Sequence, residues 1–437
     1  MRRVTGDKGT GVAAFFICLL LGLYGLAGAE GTPPVFDVIT VDATITPPIA
    51  EYIGQCIEES AKMSASGLVI LMDTPGGLDT SMRTIAKSIL NAPLPVIVFI
   101  HPSGARAASA GVIITIAAHV AAMTPGTNIG AAHPVAIGIG GQMDETMAEK
   151  VEKDAVAYVK GIAKKRGRNE EWAAKAVLKS ESITAEEALK LGVIDIVASD
   201  VNHLLSQIDN RRIVLPKGEQ VLKTRHAQIR EKKMGLRLQI LSTISNPNIA
   251  YILFLIGLAG LYFEFSNPGA ILPGVIGGMS LILAFFALQT LPVNYAGVLL
   301  ILFAIVLFIA EIKVISHGLL TVGGIISLVM GSLLLFDSPE PALRVSLRIL
   351  LPVVTVLSLF FVAVISLVVK AQLRKNLTGK EEMEGMEGVA VTDIHDHGKV
   401  LIKGEYWNAK SDGNIVQGKQ IRVNSVEGLT LNVEEIN

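Results

Sequence analysis

Three stretches of the chain carry residue types that together can do acyl-transfer chemistry. The segment Pro102-Ser103-Gly104-Ala105-Arg106-Ala107-Ala108-Ser109-Ala110-Gly111 leads from a β-branched run into the apolar helical run Val112 to Ala118. It sets Ser109 at or near a helix N-terminus, among residues too small to block a substrate. Amide N–H groups and the positive end of the helix dipole can hold an oxyanion there. A serine in such a loop can equally serve only as a cap or a small packing residue. The second stretch, Asp73-Thr74-Pro75-Gly76-Gly77, follows an apolar strand directly. Gly76 and Gly77 let the backbone approach a ligand with its amides turned inward. Alone, Pro-Gly-Gly is an ordinary turn.

A serine hydroxyl needs a base to become a nucleophile near neutral pH, and two candidates compete. Lys150 lies in the helical segment Met147 to Ala163, whose apolar stripe is Met147, Val151, Ala155, Tyr158 and Ile162. It borders that stripe, whereas Lys153 and Lys160 point more toward solvent. Desolvation against an apolar wall favours the neutral amine, which a general base requires; a solvated lysine offers none. His133, in Gly130-Ala131-Ala132-His133-Pro134, needs no such burial, because imidazole titrates near neutrality. Spacing alone leaves both open.

The elements that must position these residues are those of an α/β domain. Strand-like runs occur at Val35 to Val41, Leu68 to Asp73, Val96 to His101, Val120 to Thr124 and Val193 to Ala198. Helical patterns at Pro48 to Met63 and Thr80 to Asn91 separate the early ones. Such alternation implies crossovers, with the site at the carboxyl ends of the strands. The domain is expected to occupy residues 30–209.

Composition sets this domain beside a membrane. The 437 residues are 51% hydrophobic and 18% charged, with 38 basic and 39 acidic side chains for a net charge of −1. No global field attracts nucleic acid. The 122 residues from Ile249 to Lys370 hold only eight charged side chains, and the other 315 hold the remaining 69. That distribution excludes both a wholly soluble enzyme and a plain membrane bundle. Five apolar segments are expected within 249–370: Ile249–Phe265, Ala270–Gln289, Val293–Val314, His317–Phe336 and Ile349–Val369. Each approaches the roughly 20 residues that span a bilayer.

The N-terminus reads as a secretory signal or signal anchor over residues 1–29: a basic start, an apolar run from Val12 to Leu26, and a small-residue site ending at Ala29. Export leaves Cys56 as the single thiol of the mature chain, so no internal disulfide is expected. With the first domain outside, five crossings bring the C-terminus inside, and Lys370, Arg374, Lys375 and Lys380 agree with the positive-inside rule. Residues 210–248, rich in Arg and Lys, read as a basic linker or amphipathic collar. Residues 379–437 carry short β patterns punctuated by glycine, which suggests a small OB-like barrel. Its six basic against eleven acidic residues argue against nucleic acid. The run His395-Asp396-His397 reads as a solvated turn rather than a metal site. No metal and no cofactor are expected.

Taken together, Asp73-Thr74-Pro75-Gly76-Gly77, Ala107-Ala108-Ser109-Ala110-Gly111, Pro125-Gly126-Thr127-Asn128-Ile129-Gly130-Ala131 and Leu191-Gly192-Val193-Ile194-Asp195 resemble the ClpP-class membrane serine proteases of the NfeD family, long form. The order of parts matches along nearly the whole chain. This resemblance implies a ClpP/crotonase-like α/β fold of ββα repeats, a helical transmembrane bundle and a small all-β OB-like barrel. It carries the nucleophile to Ser109, the base to Lys150 and the oxyanion amides to Gly77 and Ala110, with Gly76 in the substrate-binding loop. It also implies a stomatin-like (SPFH) membrane partner, whose apolar segments would be hydrophobic peptide substrates at the lipid bilayer, and a homo-oligomer, dimer or larger. Soluble ClpP peptidases use Ser, His and Asp instead. His133 falls near their histidine, yet where their aspartate would precede Ile183-Thr184-Ala185 the chain reads Ser180-Glu181-Ser182, which favours Lys150. The competing functions are a non-catalytic scaffold for stomatin-type oligomers and, more weakly, an acyl-CoA enzyme, which a domain outside the cytoplasm would separate from its substrate.

Overall fold

A computed structural model describes residues 33–134, 145–266, 269, 271–291, 293–314, 316, 318–336, 338, 343–372 and 380–436. The signal segment expected at 1–29 lies outside them. By internal contacts the chain divides into two compact units, one running to Ile309 and including His317–Leu357, the other holding Ala310–Ser316 and Ser358–Asn437.

In chain order the soluble domain runs β1 (Val35–Asp42), α1 (Pro47–Lys62), β2 (Gly67–Asp73), α2 (Asp79–Leu90), β3 (Val96–Ile100), β4 (Arg106–Ala108), α3 (Ala110–Ala117), β5 (Val120–Met123), β6 (Asn128–Gly130), α4 (Glu145–Arg166), α5 (Glu170–Leu178), β7 (Ser182–Thr184), α6 (Ala185–Lys190), β8 (Ile196–Val197), α7 (Val201–Gln207), β9 (Arg212–Leu215), β10 (Gly218–Val221), β11 (Gln228–Glu231) and α8 (Leu236–Ile244). The main sheet has the order β11-β1-β2-β3-β5-β8 and is parallel throughout. Every residue of β3 and β5 is buried, as a parallel sheet covered on both faces requires. A second sheet, β4-β6-β7, lies beside it. The expected ββα repeat is visible in this pairing of sheets. β3 continues into β4 and then α3, and β5 into β6 and then α4; β2 reaches only as far as Thr74, which bridges to Ala107 before α2 begins.

α3 is buried along its whole length, so its ends must be satisfied from within the protein. At its C-terminal end, Arg166 donates from Nε to the Ala117 carbonyl at 2.7 Å, and Arg168 donates to the carbonyls of Ile116 and Ala118 at 2.6 and 2.9 Å. Two cations there also complement the helix dipole. Arg168 in turn pairs with Asp195 at 2.7 Å, and Asp195 accepts from Arg211 at 2.5 Å and from the Ala121 amide at 2.8 Å. Burial alone would raise the Asp195 carboxyl; Arg168, the Ala121 amide and Arg211 outweigh it and hold the group below the usual carboxylate range.

The basic stretch read as a linker over 210–248 takes part in the fold. β9 and β10 form a hairpin, and β11 adds to the sheet edge in parallel with β1, Phe36 opposite Ile229. Its charges answer Asp37, which is fully buried in β1: Arg230 donates to it at 2.6 Å, Ser60 at 2.5 Å, and Lys232 lies 3.7 Å away. The basic residues therefore neutralise a buried carboxylate 193 positions earlier, which no local pattern announces.

Five apolar helices follow: α9 (Pro247–Ser266), α10 (Ile271–Thr290), α11 (Tyr295–Lys313), α12 (Leu319–Leu334) and α13 (Leu347–Gln372). They overlap the five segments read from hydropathy, and among the described residues α9 and α10 are long and apolar enough to cross a membrane. α9 and α10 pack through small residues; a methyl at Gly260 would come within 2.5 Å of the Pro273 carbonyl oxygen. Tyr251 of α9 donates to Ser332 of α12 at 2.9 Å. Large apolar side chains such as Leu272 and Ile282 point outward, a disposition stable in lipid.

The C-terminal part forms α14 (Lys380–Met383) and the strands β12 (Glu387–Ala390), β13 (Gly398–Ile402), β14 (Glu405–Lys410), β15 (Gln420–Glu427) and β16 (Thr430–Glu435), closed in the order β12-β13-β14-β16-β15. Val400, Ile421 and Leu431 fill the barrel, and Trp407 packs partly against them. His395, Asp396 and His397 are exposed in a turn.

Candidate active site

Ser109 occupies the N-cap position of α3 with φ 51° and ψ −113°. A left-handed φ is uncommon for a residue with a side chain, and such strain persists only where the surroundings enforce it. The surroundings here are two loops fastened together. The Thr74 amide donates to the Arg106 carbonyl at 2.8 Å, the Ala108 amide returns to the Thr74 carbonyl at 3.1 Å, and Asp73 accepts from the Arg106 amide at 3.0 Å. The Ser109 amide is spent on the Gly130 carbonyl at 3.2 Å.

The glycines of the first loop are needed for this approach. A methyl on Gly76, which has φ +122°, would stand 2.7 Å from Ser109 Cβ, and one on Gly77 would stand 2.2 Å from the Ile45 carbonyl oxygen. Around Gly77 the backbone bonds use neighbouring groups: the Ile45 amide donates to the Gly76 carbonyl at 2.8 Å and the Leu78 amide to the Ile45 carbonyl at 2.9 Å. Ala110 is the first residue of α3, where helix geometry gives its amide no intrahelical acceptor.

Ser109, Gly77, Ala110 and Lys150 line one cavity of about 400 Å³. Its walls also include Met82, Ile113, Val151, Ala155, Tyr158 and Val177. α4 supplies Lys150, and of the stripe expected on that helix Ile162 is buried, Val151, Ala155 and Tyr158 are half-buried, and Met147 is exposed. Lys150 itself is exposed. Among the described residues, the apolar wall beside its amine is thus incomplete.

His133 is not among the residues lining the cavity. Its Nδ1 donates to the Val177 carbonyl at 2.9 Å, and Glu152 lies 3.8 Å from the same nitrogen. A carbonyl can only accept, so Nδ1 is the donor in this bond.

The cavity also has a charged edge that the sequence motifs do not reveal. Arg83 pairs with Asp79 at 2.8 Å and with Asp154 at 2.5 Å, and its guanidinium stacks 4.4 Å above the Tyr158 ring. Asp79 and Arg83 at i,i+4 on α2 are readable as a helix pair. Asp154 is 71 residues away and is not. One arginine against two aspartates leaves the group at −1, which the Lys150 ammonium on the same cavity can offset.

Family models match three consecutive parts of the chain: one described as the NfeD1b N-terminal domain over residues 35–213, one as the NfeD integral membrane domain over 248–367, and one as the NfeD-like C-terminal, partner-binding domain over 380–435. The chain is 36% identical over 407 residues to the membrane-bound protease PH1510 of Pyrococcus horikoshii, covering 90% of this chain and 92% of that protein. It is 28% identical over 451 residues to the membrane protein NfeD1b of Bacillus subtilis, covering 97% and 98%. Among solved structures, the 1510-N membrane protease specific for a stomatin homolog from Pyrococcus horikoshii is 30% identical, covering 49% of this chain and 100% of that one, with a TM-score of 0.43.

Proposed function

The chain belongs to the NfeD family in its long form, and from that premise we propose that it is a membrane-anchored serine endopeptidase with a Ser109–Lys150 dyad. Neutral Lys150 takes the Ser109 proton, and Ser109 Oγ attacks the peptide carbonyl. The amides of Gly77 and Ala110 stabilise the oxyanion, Lys150 protonates the leaving amine, and water then releases the acyl group. The observation that carries this reading is a strained serine on the N-terminus of a buried helix, sharing one cavity with a lysine. Because Lys150 is exposed, the substrate has a second part to play. An apolar peptide laid across Val151 and Ala155 excludes water from the amine, and desolvation favours its neutral form. Catalysis is thereby coupled to a hydrophobic substrate.

The partner in this reading is a stomatin-like membrane protein. Support comes from the family resemblance of the sequence motifs and from the match of residues 380–435 to a domain described as partner-binding. The soluble domain works outside the cytoplasm and the barrel inside, as five crossings after an exported domain require. Labelling the purified full-length protein with a fluorophosphonate and mapping the modified peptide tests the assignment. Label on Ser109, together with loss of hydrophobic-peptide cleavage in Ser109→Ala and Lys150→Ala, is the expected result. Cleavage that survives Ser109→Ala refutes it, and an active Lys150→Ala with a dead His133→Ala moves the base. Restoration of the cellular phenotype by Ser109→Ala would favour the scaffold instead.

A further inference from the structure

The cavity that holds Ser109 has a wall from the membrane region. Leu343 and Ser338, both in the connection between α12 and α13, line it alongside Ser109, Lys150 and Val151. Leu343 is 1% exposed and Ser338 fully buried. An aliphatic side chain in an extramembrane connection would ordinarily meet water, so its burial at this position marks it as part of the cavity's surface rather than a passing loop residue. Arg344 donates from Nε to the Ser338 carbonyl, joining the two ends of the connection. The Ser346 amide donates to Asn248 Oδ1 at 2.8 Å, which ties the start of α13 to the start of α9 just where the soluble domain enters the membrane region.

Chain topology agrees with this placement. Four apolar helices, α9 to α12, separate the soluble domain from Leu343. Four is an even number of crossings, so the connection returns to the side of the membrane that the soluble domain occupies.

We infer that Leu343 is a specificity-determining residue of the substrate cavity, contributed to it by the membrane region. The inference rests on the reading of the cavity as a peptide site. It goes further by assigning the choice of substrate side chain to a residue outside the protease-like domain. In a cavity of about 400 Å³, Leu343 sets the room left for an apolar side chain of the substrate. Truncating it should admit a larger one, because a residual void beside a buried apolar group is unfavourable until it is filled.

Binding can be separated from hydrolysis by using full-length Ser109→Ala protein in detergent micelles. Fluorescein-labelled apolar hexapeptides differing only in a central Ala, Leu or Phe are titrated by anisotropy against Ser109→Ala and against Ser109→Ala/Leu343→Ala. A second variant, Leu343→Met, keeps the volume and guards against a folding defect. The expected result is that Leu343→Ala shifts the ratio of Phe-peptide to Ala-peptide affinity at least about tenfold toward Phe, the lower end of what one methylene is worth in an apolar pocket, while Leu343→Met leaves it within about twofold. An unchanged ratio in Leu343→Ala overturns the inference, whatever the catalytic assay gives. Absence of peptide binding by Ser109→Ala itself overturns it together with the peptide-site reading. Preference that shifts while Ser109 proves unreactive keeps Leu343's role and refutes only the dyad.

Discussion

Burial of His119 between α3 and β5 is expected to make the soluble domain lose stability in mild acid. His119 is 7% exposed, and its Nδ1 accepts from the Val96 amide at 3.2 Å while Nε2 has no partner. Burial, then Arg166, then Arg168 push the imidazole down to about 3, and the bond that Nδ1 accepts from Val96 requires that nitrogen unprotonated. An unfolded histidine titrates near 6.5. Below that value the unfolded chain binds a proton that the folded one refuses, so stability is full above about pH 6.5 and declines as pH falls. At about pH 5 the loss comes to about 2 kcal/mol, from the roughly 1.5 pH units lying between there and the unfolded value. Asp37 and Asp195 do not contribute in this window. Both are held below the usual range, so their share of stability is lost only below about pH 4. Urea unfolding of the full-length protein in detergent, followed by the fluorescence of buried Trp172 in a Trp407→Phe background, reads the soluble domain selectively. His119→Asn keeps an acceptor for the Val96 amide but cannot titrate. The wild-type chain should lose about 2 kcal/mol between about pH 7.5 and 5, and His119→Asn should stay level over that range. Equal losses in the two proteins would refute the argument.

Two other substitutions probe the frame around the serine. Gly76→Ala sets a methyl 2.7 Å from Ser109 Cβ at a backbone φ of +122°. Peptide cleavage should drop by about 100-fold through misplacement of the nucleophile, with an unchanged circular dichroism spectrum; normal kcat would show that the two loops are not coupled. Arg168→Met removes the partner of half-buried Asp195 and the donor to the Ile116 and Ala118 carbonyls. It should destabilise the domain by about 3 kcal/mol, less if Arg211 compensates, and adding Asp195→Asn should recover part of the loss. A smaller effect in Arg168→Met than in Arg211→Met would reverse the ranking of the two arginines.

How much of this was legible in the sequence depended on whether the information was local. Hydrophobic period located α1 and α2 to within a residue at each end, because their buried faces repeat along the helix itself. The glycine loop and the Ser109 loop were readable for a similar reason: small residues between a strand and a helix leave few other conformations. Arg83 with Asp154, Asp37 with Arg230, and Leu343 at the cavity were not readable, since each pairs positions whose contact exists only once the sheet and the helices are assembled. In the barrel, Gln420 to Val423 alternates in burial, but the apolar positions are short and surrounded by polar residues. Lys150 is the instructive case. Helix periodicity correctly put it beside an apolar stripe, and periodicity says nothing of what covers that stripe. On α4 the exposed position of Lys150 and the half-buried Val151 and Ala155 describe a face that no described residue of the chain fully covers. If an apolar peptide is the missing layer, the base is assembled by the substrate it serves. Polar peptides of equal length would then fail to be cut even when they bind, and a comparison of kcat for matched polar and apolar peptides would decide it.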